Sequence, residues 1–518
     1  MTGMYDLANT KLYYIYGDEA TSDYSNETEF YVPPVAGQQP PSAKNRGTRV
    51  IIYDDFGRGS SDDTFTWRHY GDPAINTTMA VAAEIELGTV DAIYHGGDIS
   101  YATGYIAVWD FFMDMITPMA GSVIYLTTVG NHESDWPGTA SLYPTSTDSG
   151  GECGILATEM IPMPAPATTN EPWWSYDVGL IHFVGMSSEH EYSIGSKQNE
   201  WLKNDLETVN RTLTPWVIFG GHRPMYINSD YSGNEESDVT VSQDLVDNIE
   251  QMLYDNNVNV AFWGHNHVVQ RQTAVKNYEV VQASTVVIDS DGNEVHHHDD
   301  PQATVHMVVG TGGARFTVNY VTPYPSWCEM VFYKYGYARV EAVNASYLTW
   351  DWVQSNDGQV MDRMSMSQTG SKWVESDDTT HEPLSGGAKV AVYITGALMV
   401  LFILFLMLRN SDFKYHLRSL GLYDSQSQDD MSVLVNSTVE LSSDSAADEA
   451  DAIELHSIAI AGGSSGSTTG SSTGSSGHST GKGGSKGGSK GKSGKNKNKG
   501  VVVTKGYELT SKREGTAL

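Results

Sequence analysis

The sequence predicts an α/β fold over residues 45–360, and two patterns lead to that expectation. Up to about residue 303, short runs rich in β-branched and aromatic residues alternate with helical stretches, which is typical of largely parallel sheets covered by helices. Beyond that point the pattern changes to strands alone. In open α/β sheets, ligands bind beyond the carboxyl ends of the strands, so polar residues at those ends are the first place to search for function.

The individual elements follow from these runs in chain order. The strands expected first are 48–55, 90–98, 122–133, 180–189, 216–224 and 258–267. The helices expected between them are 79–87, 106–116, 198–209 and 243–255. The strands expected last are 305–313, 335–343 and 347–354.

The charge of the chain limits the classes of partner. The 518 residues include 64 Asp and Glu against 31 Lys and Arg, which gives a net charge of −33. Residues 409–518 hold 12 acidic and 13 basic side chains, so the whole acidic excess lies in residues 1–408. A nucleic-acid-binding body needs a basic face, and we therefore expect no nucleic-acid partner.

A membrane anchor is expected near the end of the folded part. Residues 390–408 are uncharged and, as a helix, would extend about 29 Å, close to the ~30 Å hydrocarbon core of a bilayer. The alternative is a buried core helix. We expect a transmembrane helix at 389–409 after a juxtamembrane linker at 361–388. Basic residues follow it, which predicts a single-pass membrane protein with a cytosolic C-terminus and residues 1–388 extracellular or lumenal.

The two ends of the chain differ from its centre in composition. Residues 410–518 become rich in Gly, Ser and Lys, which predicts a disordered, low-complexity cytosolic tail whose basic end either contacts anionic lipid or stays solvated. The first residues lack the pattern of a signal peptide, so we expect an upstream segment that carries one. Four glycosylation candidates lie on the predicted exported side: Asn26, Asn76, Asn210 and Asn344.

Polar side chains of a similar kind follow five of the predicted strands. The five segments are Asp54-Asp55-Phe56-Gly57, Gly97-Asp98-Ile99-Ser100-Tyr101, Gly130-Asn131-His132-Glu133, Gly220-Gly221-His222 and Gly264-His265-Asn266-His267. Each alone would suggest a helix cap or an ordinary histidine. Together they offer carboxylate, amide and imidazole ligands, which suit divalent or trivalent metals. They are too many for one open site and fit two metals about 3.5–4 Å apart.

In this order the five segments resemble the motifs of the metallophosphoesterase superfamily. Tyr101, three residues after Asp98, resembles the tyrosine that distinguishes purple acid phosphatases within it. Further similarity lies in WWSYDVG, TPWVIFGGHRPMY and VVGTGG. The resemblance implies a metallophosphatase-type β-sandwich flanked by helices. Residues 7–34 are similar to the final strands of the fibronectin type III-like domain of plant-type members, so residues 1–44 are expected to form a partial β domain of that kind.

The resemblance also implies a binuclear centre. Asp55, Asp98, Tyr101 and His267 would hold Fe(III), with Asp98 bridging to the second metal. Asn131, His222 and His265 would complete the site of that second metal, Fe(II), Zn(II) or Mn(II). His132 would bind phosphate or protonate the leaving group.

The implied activity is that of an acid phosphatase that hydrolyses phosphate monoesters with a metal-bound hydroxide as nucleophile. The alternatives are a phosphodiesterase or pyrophosphatase on the same scaffold, or a catalytically silent membrane receptor of the same fold.

Four features lie outside the family pattern. Asp54 replaces a glycine, and this extra carboxylate must point away from the metals or be paired. The histidine pair of plant-type relatives is missing from residues 226–231, which leaves His132 as the candidate acid. Residues 296–300 read HHHDD and are interpreted as a solvated loop, with adventitious metal binding as the alternative. Cys153 and Cys328 either pair or remain thiols.

Overall fold

The computed structural model describes residues 7–41, 46–58 and 73–370. The strands before residue 268 are β1 Lys11–Tyr14, β2 Gly17–Asp18, β3 Asp23–Tyr24, β4 Thr28–Tyr31, β5 Thr48–Tyr53, β6 Ala92–His95, β7 Ile124–Thr127, β8 Trp174–Val178, β9 Ile181–Gly185, β10 Trp216–Gly220 and β11 Val260–Trp263. The strands after it are β12 Val269–Lys276, β13 Glu279–Gln282, β14 Thr285–Ile288, β15 Glu294–Asp299, β16 Val305–Val309, β17 Cys328–Phe332, β18 Gly336–Asn344, β19 Tyr347–Gln354 and β20 Val360–Ser367.

The helices lie mainly between the parallel strands. They are α1 Ala74–Glu86, α2 Ile106–Ala120, α3 Asn131–Ser134, α4 Ile155–Met160, α5 Lys197–Thr208, α6 Asp238–Leu245 and α7 Gln251–Asp255, with a π-helical turn at Val246–Glu250 between the last two. Every helix and strand predicted between residues 45 and 355 has a counterpart among these elements. The first predicted helix begins at Ala74 rather than at residue 79.

Two eight-stranded sheets form the centre of the molecule. One has the order β13-β12-β16-β11-β10-β9-β8, with β17 also paired to β12, and the other has the order β14-β15-β20-β19-β18-β5-β6-β7. Strands β5–β7 run parallel, as do β9, β10, β11 and β16. Many of the remaining neighbours are antiparallel, because hairpins such as β18–β19 and β19–β20 need no helical crossover. Both sheets are therefore mixed, and the expected parallel arrangement holds for the strands that precede the motifs.

Three large hydrophobic cores of the described residues build the layers. In β5, alternate residues face opposite sides of the sheet: Val50 and Ile52 enter the core between the two sheets, while Ile51 and Tyr53 enter the core that includes α1 and α2. The outer face of the other sheet packs against α5, α6 and α7. The predicted sandwich flanked by helices is confirmed in this α–β–β–α arrangement.

Residues 7–41 form two small ribbons. Strand β1 pairs with β4, and β2 pairs with β3, in both cases antiparallel. Tyr31 is buried, and its backbone N–H donates to the Ser122 carbonyl, which joins this segment to the end of α2. The assignment of residues 1–44 to a partial fibronectin type III-like domain stays a prediction.

The interpretation of the HHHDD segment as a solvated loop is wrong. Its histidines lie in β15, which pairs in parallel with β20, and His298 is fully buried. Side chains of a strand alternate between its two faces, so His297 lies on the face opposite to His298. There its Nδ1 is 2.8 Å from Ser365 Oγ of β20. All five residues are polar, so their sequence shows no alternation of polar and apolar side chains. Their polar partner Ser365 lies on β20, far away along the chain.

Several predicted segments lie outside the described residues. They are the transmembrane helix at 389–409, the cytosolic tail at 410–518 and the linker 361–388 beyond residue 370. Within the described ranges, no helix has the length and apolar character needed to cross a membrane. Cys153 and Cys328 are both free thiols.

Candidate metal centre

The five motifs meet at one edge of the sandwich because each follows a parallel strand. Asp55 comes after β5, Asp98 after β6 and Asn131 after β7, all in one sheet. His222 follows β10 and His265 follows β11 in the other sheet. The carboxyl ends of both sets of strands therefore bring the ligand candidates together from the two sheets.

The first group gathers around Asp55. Tyr101 Oη lies 3.1 Å from Asp55 Oδ1 and 2.8 Å from His267 Nε2, and His267 Nε2 lies 3.2 Å from the same carboxylate oxygen. Asp55, Asp98 and His267 can each place one ligand atom within 4.8 Å of the other two. All four residues predicted for the first metal are therefore neighbours.

The second group gathers around Asn131. Its Oδ1 lies 3.1 Å from His222 Nε2 and 3.0 Å from His265 Nδ1. His222 Nε2 is also 3.3 Å from Asp98 Oδ1. Asp98, His222 and His265 offer ligand atoms within 4.8 Å of one another, so Asp98 belongs to both groups.

The chemistry of this cluster fits two cations. Asp54, Asp55 and Asp98 are almost completely buried, and carboxylates so placed need opposite charge. Among the described residues, the buried Oδ2 of Asp55 has no hydrogen-bond partner, which leaves it available as a ligand. The first group has three oxygen donors and one imidazole, and the second has two of each, as expected for a harder and a softer ion.

Backbone strain is concentrated at the same place. Asp55, Asp98, Tyr101 and His265 all have φ between 47° and 63°, in the left-handed region that residues other than glycine rarely adopt. Such conformations cost about 1–3 kcal/mol each and persist where the surrounding structure enforces them. The fold therefore imposes this geometry on the four candidate ligands.

Burial and mutual charge set the protonation of the site. Burial acts to raise the pKa of Asp98, but the charges of His222 and His132 outweigh it and hold this pKa well below its usual range. Burial and the carboxylates of Asp55 and Asp98 raise the pKa of Tyr101 well above its usual value. Asp98 is therefore a carboxylate, and a metal that binds Tyr101 as phenolate must displace its proton.

The remaining two imidazoles shift in opposite directions. Burial and the charge of Arg223 lower the pKa of His265 well below its usual value, so this ring is neutral, which is the form that ligates metals. Burial also acts to lower the pKa of His267, but the Asp55 carboxylate reverses the effect and raises it.

Asp54, the departure from the family pattern, is paired. Its Oδ1 lies 3.1 Å from His222 Nδ1 and accepts a hydrogen bond of 2.8 Å from the Asp55 backbone N–H. The carboxylate lies on the Nδ1 side of His222, opposite Nε2, so its ligand atoms group with Asp55 and His222 rather than with Asn131 and His265.

Asp148 supports two candidate residues at once, and the sequence reasoning missed it. Its Oδ2 accepts a hydrogen bond of 2.8 Å from Asn131 Nδ2, which turns the amide oxygen of Asn131 toward the histidines. Its backbone carbonyl lies 3.2 Å from His132 Nδ1. Asp148 lies in a loop with no recognisable spacing to the motifs, so sequence alone carried no signal for it.

Two further supporting residues lie inside motifs that were recognised. Glu133 accepts hydrogen bonds from the backbone N–H groups of Ile99 and Gly130, at 2.8 and 3.0 Å, and so connects the second and third motif loops. Arg223, next to His222, pairs with Glu189 at 2.9 Å and places Nη1 3.2 Å from His265 Nε2. Their positions beside ligand candidates were the available signal.

His132 lies at the mouth of the cluster. Its side chain is 22% exposed, and its Nε2 is 3.9 Å from Asp98 Oδ2. A cavity of about 490 Å³ opens beside His265. Its lining residues are Asp230, Tyr231, Ser232, Asp238, His265, Asn266, Thr317 and Asn319. Part of segment 226–231, which lacks the histidine pair, thus borders this cavity.

Two family models match the chain. Residues 66–269 match the calcineurin-like phosphoesterase family, a range that contains every ligand candidate except Asp55. Residues 303–363 match the family described as iron/zinc purple acid phosphatase-like protein C.

Individual relatives agree with these matches. A probable inactive purple acid phosphatase of Arabidopsis thaliana is 32% identical over 67% of this chain and 53% of its own length. A nucleotide pyrophosphatase/phosphodiesterase of Hordeum vulgare is 29% identical over 67% of this chain and 89% of its own length.

The solved structure of a purple acid phosphatase from yellow lupin seeds covers 67% of this chain at 30% identity, with a TM-score of 0.59. This chain covers 57% of the lupin chain and 53% of the Arabidopsis protein, little more than half of each. The sandwich, the motif order and both family models point the same way. The chain belongs to the purple acid phosphatase-like metallophosphoesterases.

Proposed function

We propose that the chain is an acid phosphatase that hydrolyses phosphate monoesters at a binuclear metal centre. One observation carries the proposal: two groups of largely buried ligand residues, contributed by both sheets, share the carboxylate of Asp98. Each group has ligand atoms within 4.8 Å of one another. A shared carboxylate between two such groups is the arrangement that a pair of bridged metals requires.

The proposed ligands follow the two groups. Asp55, Tyr101 and His267 hold the first metal, for which the phenolate of Tyr101 favours Fe(III). Asn131, His222 and His265 hold the second, Fe(II), Zn(II) or Mn(II). Two bound metals supply an activated water and neutralise the charge of the phosphoryl oxygens.

The protein's own groups orient the substrate and move protons. His132 is the proposed catalytic residue because it is partly exposed and its Nε2 lies 3.9 Å from the buried Asp98 carboxylate. The Asp148 carbonyl accepts the proton on Nδ1, and Nε2 is the nitrogen near Asp98. In the imidazolium form, Nε2 would give its proton to the leaving-group oxygen and leave a neutral ring with its proton on Nδ1. These contacts support the proposal that His132 binds phosphate or protonates the leaving group.

A phosphodiesterase or pyrophosphatase is the second candidate function. The cavity beside His265 has room for the second organic group that a phosphodiester carries and a monoester lacks. The barley relative is named for activity on nucleotide pyrophosphates and phosphodiesters. The ligands serve either reaction, so the choice depends on the cavity.

The test compares substrates on the purified full-length chain loaded with Fe(III) and Zn(II). We expect a visible ferric–tyrosinate colour and a kcat/KM for p-nitrophenyl phosphate at least about tenfold above that for bis(p-nitrophenyl) phosphate. Asp98→Asn should lower kcat/KM by about a thousandfold, since bridged metals contribute several kcal/mol of transition-state stabilisation.

The controls separate the alternatives. Asp205→Asn changes a carboxylate that pairs with His182 away from the site and should leave kcat/KM within about twofold. Higher activity on the diester would favour the second candidate. A wild-type chain that binds both metals yet hydrolyses neither ester would favour the catalytically silent alternative; several relatives are named "probable inactive" purple acid phosphatases. A colourless, iron-free and fully active protein would exclude Fe(III) bound to Tyr101.

We also propose that this chain is a single-pass membrane protein and that its metal centre lies outside the cytosol, as the segment at 389–409 predicts. Four exposed asparagines carry glycosylation sequons and support that side of the membrane: Asn26, Asn76, Asn210 and Asn344. Protease protection of microsomes containing the full-length chain, with and without glycosidase treatment, tests the orientation.

A further inference from the structure

The space around Asp54 is built for a carboxylate. Asp54 is completely buried. A Cβ at Gly264 would meet Asp54 Cγ, Oδ1 and Oδ2 at 2.0, 2.3 and 2.4 Å, and a Cβ at Gly96 would meet Oδ2 at 2.1 Å. Glycine is therefore needed on both sides, so that the backbone leaves room for this side chain.

The carboxylate is directed at one atom of the second metal group. Asp54 Oδ1 lies 3.1 Å from His222 Nδ1, while Nε2 on the other side of the ring faces Asn131 and Asp98. The Asp55 N–H, 2.8 Å from the same oxygen, holds the carboxylate in this orientation. The backbone of His222 is fixed as well, because its carbonyl accepts from Gly264 N–H at 2.8 Å.

This arrangement has a cost that a structural role does not explain. Asp54 is buried beside Asp55 and Asp98, and its Oδ2 has no hydrogen-bond partner among the described residues. Burying a third carboxylate next to two others is unfavourable. A carboxylate that accepts the N–H of a ligating histidine fixes the tautomer and makes the ring a stronger donor.

We propose that Asp54 is a positioning residue for the second metal: it holds the His222 proton on Nδ1 and keeps Nε2 aimed at the ion. This inference rests on the proposed function, because it assumes that His222 is a ligand. It goes further by giving this chain's replacement of the family glycine a role in the affinity of the second site.

The test measures Zn(II) binding by calorimetry on the metal-free full-length chain, and needs no activity. Asp54→Leu removes the acceptor at similar size and should weaken the second Zn(II) site by about 10–100-fold, the usual effect of losing such a partner. Asp54→Asn keeps an oxygen acceptor without the charge and should fall between Asp54→Leu and wild type. The same changes at Asp205, which pairs with His182 outside the site, are the matched controls. Asp205→Asn and Asp205→Leu should keep a Zn(II) affinity within about twofold of wild type.

A second pair of variants tests whether Gly264 is needed to leave room for the Asp54 carboxylate. Gly264→Ala should weaken the second site as Asp54→Leu does, because the new methyl displaces the carboxylate. In the Asp54→Gly background, Gly264→Ala should cause no further loss, because all three atoms it would meet are absent. Thermal unfolding of each metal-free variant shows that it is folded, and we expect Asp54→Asn to unfold no lower than wild type.

The outcomes separate the two proposals. A wild-type chain that binds two Zn(II) ions, with Asp54→Leu binding equally well, overturns the role of Asp54 and leaves the metal centre standing. The same holds if Gly264→Ala lowers affinity equally with and without Asp54. A folded wild-type chain that binds no Zn(II) overturns the proposed function itself.

Discussion

Two histidines in this molecule contact aspartates in similar ways, yet only one belongs to a candidate metal centre. His182 Nδ1 lies 2.7 Å from Asp177 Oδ1, and its Nε2 lies 3.0 Å from Asp205 Oδ2. His222 Nδ1 lies 3.1 Å from Asp54 Oδ1, and its Nε2 points into the group that Asn131, Asp98 and His265 form.

The difference lies in the neighbours of each pair. His182 joins the β8–β9 hairpin to α5, and both of its nitrogens meet carboxylates, so it is stable as a protonated ring in an ion pair. His222 stands at the end of a central parallel strand, where neighbouring strands of both sheets deliver further ligand atoms. An aspartate–histidine pair thus becomes part of a metal site only where the topology adds ligands.

The largest effect should come from removing His222, with the removal of His182 as the comparison. His222→Ala should lower kcat/KM on p-nitrophenyl phosphate by about a thousandfold, because a second metal contributes several kcal/mol to the transition state. His182→Ala should leave the activity of the folded enzyme within about twofold. Equal losses in the two variants would remove the distinction between the pairs.

An intermediate effect should come from the amide that completes the His222 group. Asn131→Asp places a carboxylate at the 2.8 Å contact with Asp148, and their repulsion should turn the ligand oxygen away and lower kcat/KM about 10–100-fold. The exchange Asn131→Asp with Asp148→Asn restores one donor and one acceptor at that contact. Steady-state kinetics and Zn(II) titration should show most of the loss recovered, and a double variant no better than Asn131→Asp would contradict the orienting role of Asp148.

The smallest effect is on stability and concerns His182. Burial acts to lower the pKa of this ring, but hydrogen bonds to Asp177 and Asp205 raise it from 6.5 to about 9. A folded-state pKa above the unfolded value stabilises the fold fully below about pH 6.5, and the contribution is lost as the pH rises through about 9. The shift corresponds to at most about 3 kcal/mol, reduced to about 1–2 kcal/mol because the Asp177 side chain is 42% exposed.

Urea unfolding of wild type and His182→Gln at pH 6.5 and pH 10 measures this contribution. Wild type should lose about 1–2 kcal/mol more than the variant between the two pH values, since other titrating groups affect both chains alike. If both chains lose the same free energy of unfolding, the His182 pair contributes nothing to the pH dependence.

Sequence patterns predicted the motif-bearing part of the fold well, because its signals are local. The alternation in β5, with Val50 and Ile52 on one face and Ile51 and Tyr53 on the other, is visible in the sequence and is what the two cores use. The pairing of β15 with β20 and the burial of His298 depend instead on a strand that lies far away along the chain. Those features were missed for this reason.

For the site, residue types at glycine-containing strand ends pointed to two Asp, one Asn and three His, because few side chains can bind a metal. The family resemblance added Tyr101. Tertiary structure decided which nitrogen of each histidine faces the cluster, that Asp98 lies in both groups, and that Asp54 is turned to the back of His222. It also brought in Asp148, seventeen residues from Asn131 along the chain. The physical reason is that side-chain identity limits what can bind a cation, whereas hydrogen-bond partners depend on which strands and loops the fold places side by side.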